Sequence, residues 1–222
     1  MRTLVIGASQ GTGALVVQEA LARGHEVTAF ARSPDKLVLE HPWLTRRTGD
    51  FHDAASVRAA MPGHDAVVLT ASAKAMKGFL RSSWTSLRGA REDAIFFSRG
   101  TEIVIAAMKA AGVRRLVVLS ALGSGESAKL FNVVTRVLVL SFLLRASFAD
   151  HERQEALVRA SGLDWVIARP SLMTDGPARD AYTRTDEIVP VPSQISRADV
   201  AHFLIDAVED PRWMHKAVQL GG

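Results

Sequence analysis

A short apolar run that ends in three closely spaced glycines constrains this chain more than any other feature: Arg2-Thr3-Leu4-Val5-Ile6, then Gly7-Ala8-Ser9-Gln10-Gly11-Thr12-Gly13. Arg2 to Ile6 is β-branched and short enough for a buried parallel strand. Ala14-Leu15-Val16-Val17 with Ala20-Leu21 then repeats at helical spacing until Gly24. Glu26-Val27-Thr28-Ala29-Phe30-Ala31 supplies a second strand, which completes a strand-helix-strand unit within about thirty residues. Glycine permits a tight turn and a close backbone approach. The helix that begins near Gly11 points free N–H groups and the positive end of its dipole at whatever lies above the turn. A dinucleotide pyrophosphate suits that position. Gly7, Ser9, Gln10, Gly11, Thr12 and Gly13 are its candidate contacts, although the spacing G-x-x-x-G-x-G is a variant of the common G-x-G-x-x-G fingerprint.

The end of the second strand speaks to which dinucleotide. A free ribose 2′-hydroxyl usually calls for an acidic residue about twenty residues after the first glycine, and a 2′-phosphate calls for a cation. Here the strand ends in Ala31-Arg32-Ser33-Pro34-Asp35-Lys36. Arg32 stands where the acid would be, with a planar guanidinium that pairs with phosphate, and Ser33 adds a hydroxyl donor. NADP(H) is therefore favoured over NAD(H).

Strand and helix patterns continue to alternate along the chain. Leu44 to Thr48 leads into Gly49-Asp50-Phe51-His52-Asp53. Asp50, with Phe51 beside it, is placed at the adenine amino group, and Asp53 is placed to cap the next helix. Ala66 to Leu69 forms a fourth strand ending in Thr70-Ala71-Ser72, small residues beside which a ribose can lie. Gly100 to Ala111 reads as a helix closed by Gly112. Arg115 to Leu119 gives a fifth strand ending at Ser120, and Asp164 to Ala168 gives a sixth ending at Arg169-Pro170-Ser171. This order predicts an α/β fold: a Rossmann-type doubly wound, mostly parallel sheet with helices on both faces, in a single domain over residues 1–222. Ligands in such sheets sit outside the carboxyl ends of the strands, which puts Ser120 and Ser171 at the reacting end of the cofactor. Ser120 either contacts the nicotinamide side or acceptor, or satisfies a strand-end amide.

Composition narrows the function classes. The 222 residues contain no cysteine, which excludes disulfides and thiolate metal sites and fits a reducing cytoplasm. No metal site is expected. The first residues enter a strand directly, so no secretory signal is expected either. A formal charge of +4 suits a polyanionic cofactor or acidic substrate at least as well as nucleic acid, and no nucleic-acid motif is present. Two segments invite alternatives. Lys74 to Arg99 is basic with Phe79 and Trp84 interleaved, and reads as a lid or solvated helix rather than a nucleic-acid surface. Leu130 to Phe148 is strongly apolar, but Arg136 and Arg145 interrupt it, so no transmembrane segment is expected. It reads as buried core, a cover over the site, a homodimer contact or, least, a membrane-surface helix.

The motifs above are joined by Asp150-His151-Glu152-Arg153-Gln154-Glu155-Ala156-Leu157, Ser161-Gly162-Leu163-Asp164-Trp165-Val166 and Ile195-Ser196-Arg197-Ala198-Asp199-Val200-Ala201. Over nearly its whole length the chain thus resembles the atypical short-chain dehydrogenases, in the NAD(P)H-binding branch similar to biliverdin-IXβ/flavin reductase and NmrA-like proteins. The resemblance implies that Thr12 and Gly13 contact the pyrophosphate, Arg32 the 2′-phosphate, Asp50 the adenine, and Pro170 with Leu172 the nicotinamide. Ser171 departs from the flavin-reducing relatives, which tend to carry histidine there.

Ordinary short-chain dehydrogenases use a Tyr-x-x-x-Lys pair to exchange a proton with an alcohol or carbonyl. The chain has one tyrosine, Tyr182, and Asp186 stands four residues on. Hydride transfer to a conjugated acceptor such as a flavin, quinone or tetrapyrrole asks less of the protein, because water or a weak acid can supply the proton. His151 is the candidate polar group on the substrate side, placed to donate a hydrogen bond or proton to a carbonyl, with Glu155 one turn along to orient it. The alternative is a helix capped by Asp150, with His151 and Glu155 as a solvated pair. An NADPH-dependent reductase of a conjugated small molecule is expected, against a non-catalytic NADP(H) sensor or regulator.

Overall fold

The computed structural model describes residues 1–71, 95–130 and 145–222. Eight strands form one sheet in the order β3 (Leu44–Thr48), β2 (Glu26–Ala31), β1 (Arg2–Ile6), β4 (Ala66–Leu69), β5 (Arg115–Leu119), β6 (Asp164–Pro170), β10 (Lys216–Gly221), β8 (Thr183–Thr185). All neighbours run parallel except β8, which is antiparallel to β10. A separate parallel pair joins β7 (Leu172–Thr174) to β9 (Gln194–Ser196). The order reverses between β1 and β4, which opens a crevice at their carboxyl ends.

The central strands β1, β4 and β5 are largely apolar on both faces because both are covered, whereas the edge strands β3 and β8 are polar. Val5 of β1 faces one core with α1 (Gly11–Ala22) and α5 (Arg197–Glu209). Leu4 and Ile6 face the other, with α2 (Ala54–Ala60) and α3 (Phe96–Ala111), and α4 (Arg145–Arg159) packs against α3 on that side. β1 to β5 have the bounds that the sequence predicts. Ser196 caps α5 by accepting from the Asp199 amide at 2.9 Å.

Three features differ from the sequence reading. α3 begins at Phe96 rather than Gly100, because Asp150 supplies a cap from a distant helix. β6 runs on to Pro170, tied by the Leu122 amide to the Pro170 carbonyl at 2.9 Å. β10 and β8 extend the sheet beyond β6. β10 carries a buried Gln219, whose Nε2 donates to the carbonyls of Glu187 and Val189 while its Oε1 is buried with no partner among the described residues.

Candidate active site

The glycine loop is a tightly closed cradle. Gly7 has φ +91°, and a Cβ there would lie 2.7 Å from the Ala71 nitrogen. A Cβ on Gly13 would lie 2.2 Å from the Gly7 carbonyl oxygen and 2.7 Å from Thr70 Oγ1. Thr70 locks β4 onto β1, since both its amide and its hydroxyl donate to the Ile6 carbonyl, at 2.9 and 3.0 Å. Gln10 at the N-cap of α1 makes no side-chain cap bond, and the first turn carries no acid. Its leading N–H groups are left for an anion, which is how such a turn holds a pyrophosphate. Ser9 and Gln10 line the cleft above the loop. Thr12 is buried and its hydroxyl turns to Met173 Sδ, so its backbone rather than its side chain is what it offers the cleft.

The cleft runs from Gly7 across the ends of β2 and β3, where Arg32, Ser33, Lys36 and Asp50 line it. Arg32 and Ser33 are exposed. Asp50 accepts from the His52 amide at 3.0 Å, and Asp53 caps α2 by accepting from the Ala55 and Ser56 amides at 3.0 and 3.2 Å. Phe51 is a buried wall: a Cβ on Gly100 would lie 1.9 Å from its ring, and a Cβ on Gly49 would lie 2.4 Å from Phe30. Phe51 and Phe96 meet edge to face at 5.0 Å, and the Phe96 carbonyl lies 2.8 Å from His52 Nε2. Sequence reasoning missed Lys36 and Phe96. Lys36 is recognisable in hindsight as a second cation four residues past Arg32; Phe96 carries no such signal. Ala71 lines the cleft; Ser72 and residues 74–94 of the Lys74 to Arg99 segment lie outside the described residues.

The carboxyl ends of β5 and β6 are organised differently. Ser120 Oγ donates to Glu155 Oε1 at 2.8 Å, and its amide donates to the Ala168 carbonyl. Glu155 also accepts from Arg169 Nε at 3.0 Å, Arg169 Nη2 at 2.6 Å and Arg159 Nη1 at 3.0 Å. Arg169 adds Glu126 at 2.9 Å. Burial opposes the Arg169 charge, but Glu155 and Glu126 outweigh it and hold its pKa above the ordinary arginine value. The hydrogen bond from Arg169 holds the Glu126 carboxyl below the usual range.

Three sequence assignments are corrected here. Glu155 does not orient His151; its carboxylate is taken up by Ser120 and two arginines. Asp150 does not cap its own helix; it accepts from the amides of Phe97 and Ser98, at 2.6 and 3.3 Å, at the start of α3. His151 is no solvated partner of Glu155 either. It stacks on Phe97 at 4.0 Å, its Nδ1 lies 2.9 Å from Gln154 Oε1, and burial pushes its pKa below the ordinary histidine value despite Gln154 and nearby carboxylates. Pro170 is buried, Leu172 stands 62% exposed on β7, and Ser171 Oγ is buried with no hydrogen-bond partner among the described residues. Tyr182 lies among residues of the opposite face, and burial pushes its phenol up to about 12, the reverse of what proton exchange near neutrality requires.

The chain belongs to the NAD(P)H-binding family, whose pattern covers residues 7–211. Its sheet order and cradle are those of a Rossmann fold. A short-chain dehydrogenase/reductase from Veillonella parvula, solved in complex with NADP, superposes with TM-score 0.79 at 15% identity, covering 100% of this chain and 94% of that one. ChuY of Escherichia coli O157:H7, described as an anaerobilin reductase, gives TM-score 0.74 at 23% identity, covering 100% and 97%. These two likenesses establish the fold. In sequence, sterol demethylase protein B of Methylococcus capsulatus is 33% identical over 127 residues, 56% of this chain, and the match spans only 35% of that protein's length. Among the described residues no helix is long and apolar enough to cross a membrane.

Proposed function

We propose that this protein is an NADPH-dependent reductase of the atypical short-chain dehydrogenase type, passing a hydride to a conjugated small-molecule acceptor such as a flavin, quinone or tetrapyrrole. The observation that carries the reading is the cleft: a glycine cradle at an uncapped helix start, continuing to Arg32, Ser33 and Lys36 where a 2′-phosphate would need cations. The residues present fit the cofactor. Gly7, Ser9, Gln10, Gly11, Thr12 and Gly13 would hold the pyrophosphate, Arg32 and Ser33 the 2′-phosphate, and Asp50 with Phe51 the adenine. Thr70 and Ala71 would lie along the ribose, and Ser120, Pro170 and Leu172 beside the nicotinamide. Bound there, NADPH supplies the hydride.

The rest is the work of this chain's own groups. Exposed Leu172 offers an apolar contact for a flat acceptor, and the C-terminal half of the chain supplies the substrate side. His151 and Ser120 border that side as positioning groups. The absent Tyr-x-x-x-Lys pair removes the usual route to alcohols and leaves the proton to solvent. A cytoplasmic location, which the cysteine-free composition fits, is part of the same proposal.

Turnover tests the reading. Purified protein should oxidise NADPH faster in the presence of flavin, quinone or bilin acceptors and leave simple alcohols untouched with NADP⁺. Tight NADPH binding with no acceptor-dependent oxidation across that panel would instead identify a nucleotide sensor. The Ser120 hydroxyl, committed to Glu155, and the His151 ring, engaged with Gln154, are the observation that keeps that second reading in view.

A further inference from the structure

The cleft is polar where the phosphates would lie and apolar beside that. Ile6, Phe30, Phe51, Ala71 and Phe96 line the apolar part, with Asp50 as the acidic group among them. Phe30 and Phe51 are buried in the core behind, whereas half-buried Phe96 packs against that core and lines the cleft as well. A purine asks for such a place. Its faces need apolar or aromatic surface, and an edge that bears an amino group needs an acceptor.

Phe96 is the first residue of α3, and the helix does not fix it from within: Ile95 at the N-cap makes no side-chain bond to the helix start. Asp150 holds the next two amides, and from the β3 side His52 holds Phe96 itself, with its Nε2 2.8 Å from the Phe96 carbonyl. A carbonyl only accepts, so Nε2 carries the proton and donates it. The His52 ring also packs on both aromatic walls, 4.1 Å from Phe51 and 4.7 Å from Phe96 between centroids. The loop that carries it is rigid. Ser56 Oγ donates to the carbonyls of Asp50 and Asp53 at 2.9 and 3.0 Å, and the Asp50 carboxylate accepts from the His52 amide at 3.0 Å. His52 Nδ1 stands 3.6 Å from Asp50 Oδ1, longer than a hydrogen bond, so Nε2 does the tethering.

We propose that Phe96 is the wall against which the adenine of the cofactor packs, and that His52 is the positioning residue that keeps it there. The tether joins the loop that carries Asp50 to the helix that carries Phe96, so the acceptor for the amino edge and the surface for the face keep one spacing. This rests on the nucleotide-binding part of the reductase reading and deepens it, since it assigns the base end to two residues that carry no motif.

The fragment 2′,5′-ADP carries the adenine and the 2′-phosphate without the nicotinamide. Its binding can be followed by calorimetry and by the proton NMR of the ligand. An aromatic ring against the base shields its protons, so the carbon-bound protons of adenine should move upfield on binding. Phe96→Leu, which keeps an apolar side chain, should lose most of that shift and bind about tenfold more weakly. His52→Leu should do the same. His52→Gln, whose side-chain amide can still donate to the Phe96 carbonyl, should recover wild-type binding to within about threefold. If His52→Leu does not fold, His52→Asn, whose shorter amide does not reach the carbonyl, takes its place. Wild-type affinity and shift in Phe96→Leu overturn the proposal, as does a lowered unfolding midpoint in the His52 variants with the shift intact. Binding by His52→Gln no better than by His52→Leu overturns the positioning role. No binding of 2′,5′-ADP to the wild type overturns the nucleotide reading and the proposal together. The expected shifts without acceptor-dependent NADPH oxidation support the proposal and defeat the reductase reading alone.

Discussion

The two ends of the site hold charge in opposite ways. At β2 and β3, cations that would meet a phosphate stand exposed on loop and turn residues, Arg32 and Lys36, above a cradle made of backbone. At β5 and β6, the charges are inside the protein: Arg169 and Glu155 are 0% and 1% exposed and satisfy one another. An exposed cation costs little to place and gives its energy to the ligand. A buried ion pair has lost its water and can give its energy only to geometry. The first end is therefore built for affinity and the second for the placement of Ser120 and the strand ends around it.

The largest effect should come from breaking that buried end. Among the described residues, Glu155→Ala leaves buried Arg169 with only half-exposed Glu126 as a carboxylate partner and frees the Ser120 hydroxyl. Removal of one member of a buried pair typically costs about 3–5 kcal/mol. Denaturant unfolding should show a loss of that size, with cofactor affinity falling less than stability. A loss under about 1 kcal/mol would place the pair in water and dissolve the contrast between the two ends.

Gly13→Ala attacks the other end at its backbone. A Cβ 2.2 Å from the Gly7 carbonyl cannot be accommodated unless the loop shifts away from α1. Overpacking of this kind typically costs about 1–3 kcal/mol in stability. NADPH affinity should fall at least as steeply, because the donors of the loop move with it. Calorimetric titration that returned wild-type affinity would remove Gly13 from the cradle.

The same contrast explains what was legible in the sequence. β1 to β5, the glycine loop, Asp53 as a cap and Arg32 at a strand end all follow from local rules, because period, capping and glycine geometry act over a few residues. The partners of the buried end do not. Ser120 meets a carboxylate 35 positions away, and Asp150 caps a helix that begins more than 50 positions earlier. No local pattern tells a helical Glu155 to face a strand end rather than its neighbour His151. Phe96 and Lys36 fell between these cases, the first hidden at the end of a segment read as a lid, the second quoted in a motif but given no role.

Arg32→Ala should act on affinity alone. A charged hydrogen bond to the 2′-phosphate contributes about 1.5–3 kcal/mol, so NADPH should bind roughly ten- to over a hundredfold more weakly while NADH is nearly unaffected. The effect should shrink as salt rises, since the side chain is exposed. Equal losses for the two cofactors would take Arg32 away from the phosphate. Unfolding midpoints should stay within about 0.5 kcal/mol of wild type, in contrast to Glu155→Ala.

The smallest effect concerns protons at the buried end. His151 has its pKa lowered by burial, so in the window just below the ordinary histidine value the unfolded chain binds a proton that the folded chain does not. Stability from this group is full above about pH 6.5, the unfolded value, and is lost as pH falls through that value towards the depressed folded one. Carboxylates such as Glu126, held low by Arg169, lose their contribution only at more acidic pH, below their own unfolded range, so the two windows separate. His151→Gln should flatten the dependence of stability on pH in the window just below about 6.5 and leave the more acidic limb in place. If the slope in the upper window survives the substitution, the histidine is not the group that titrates there.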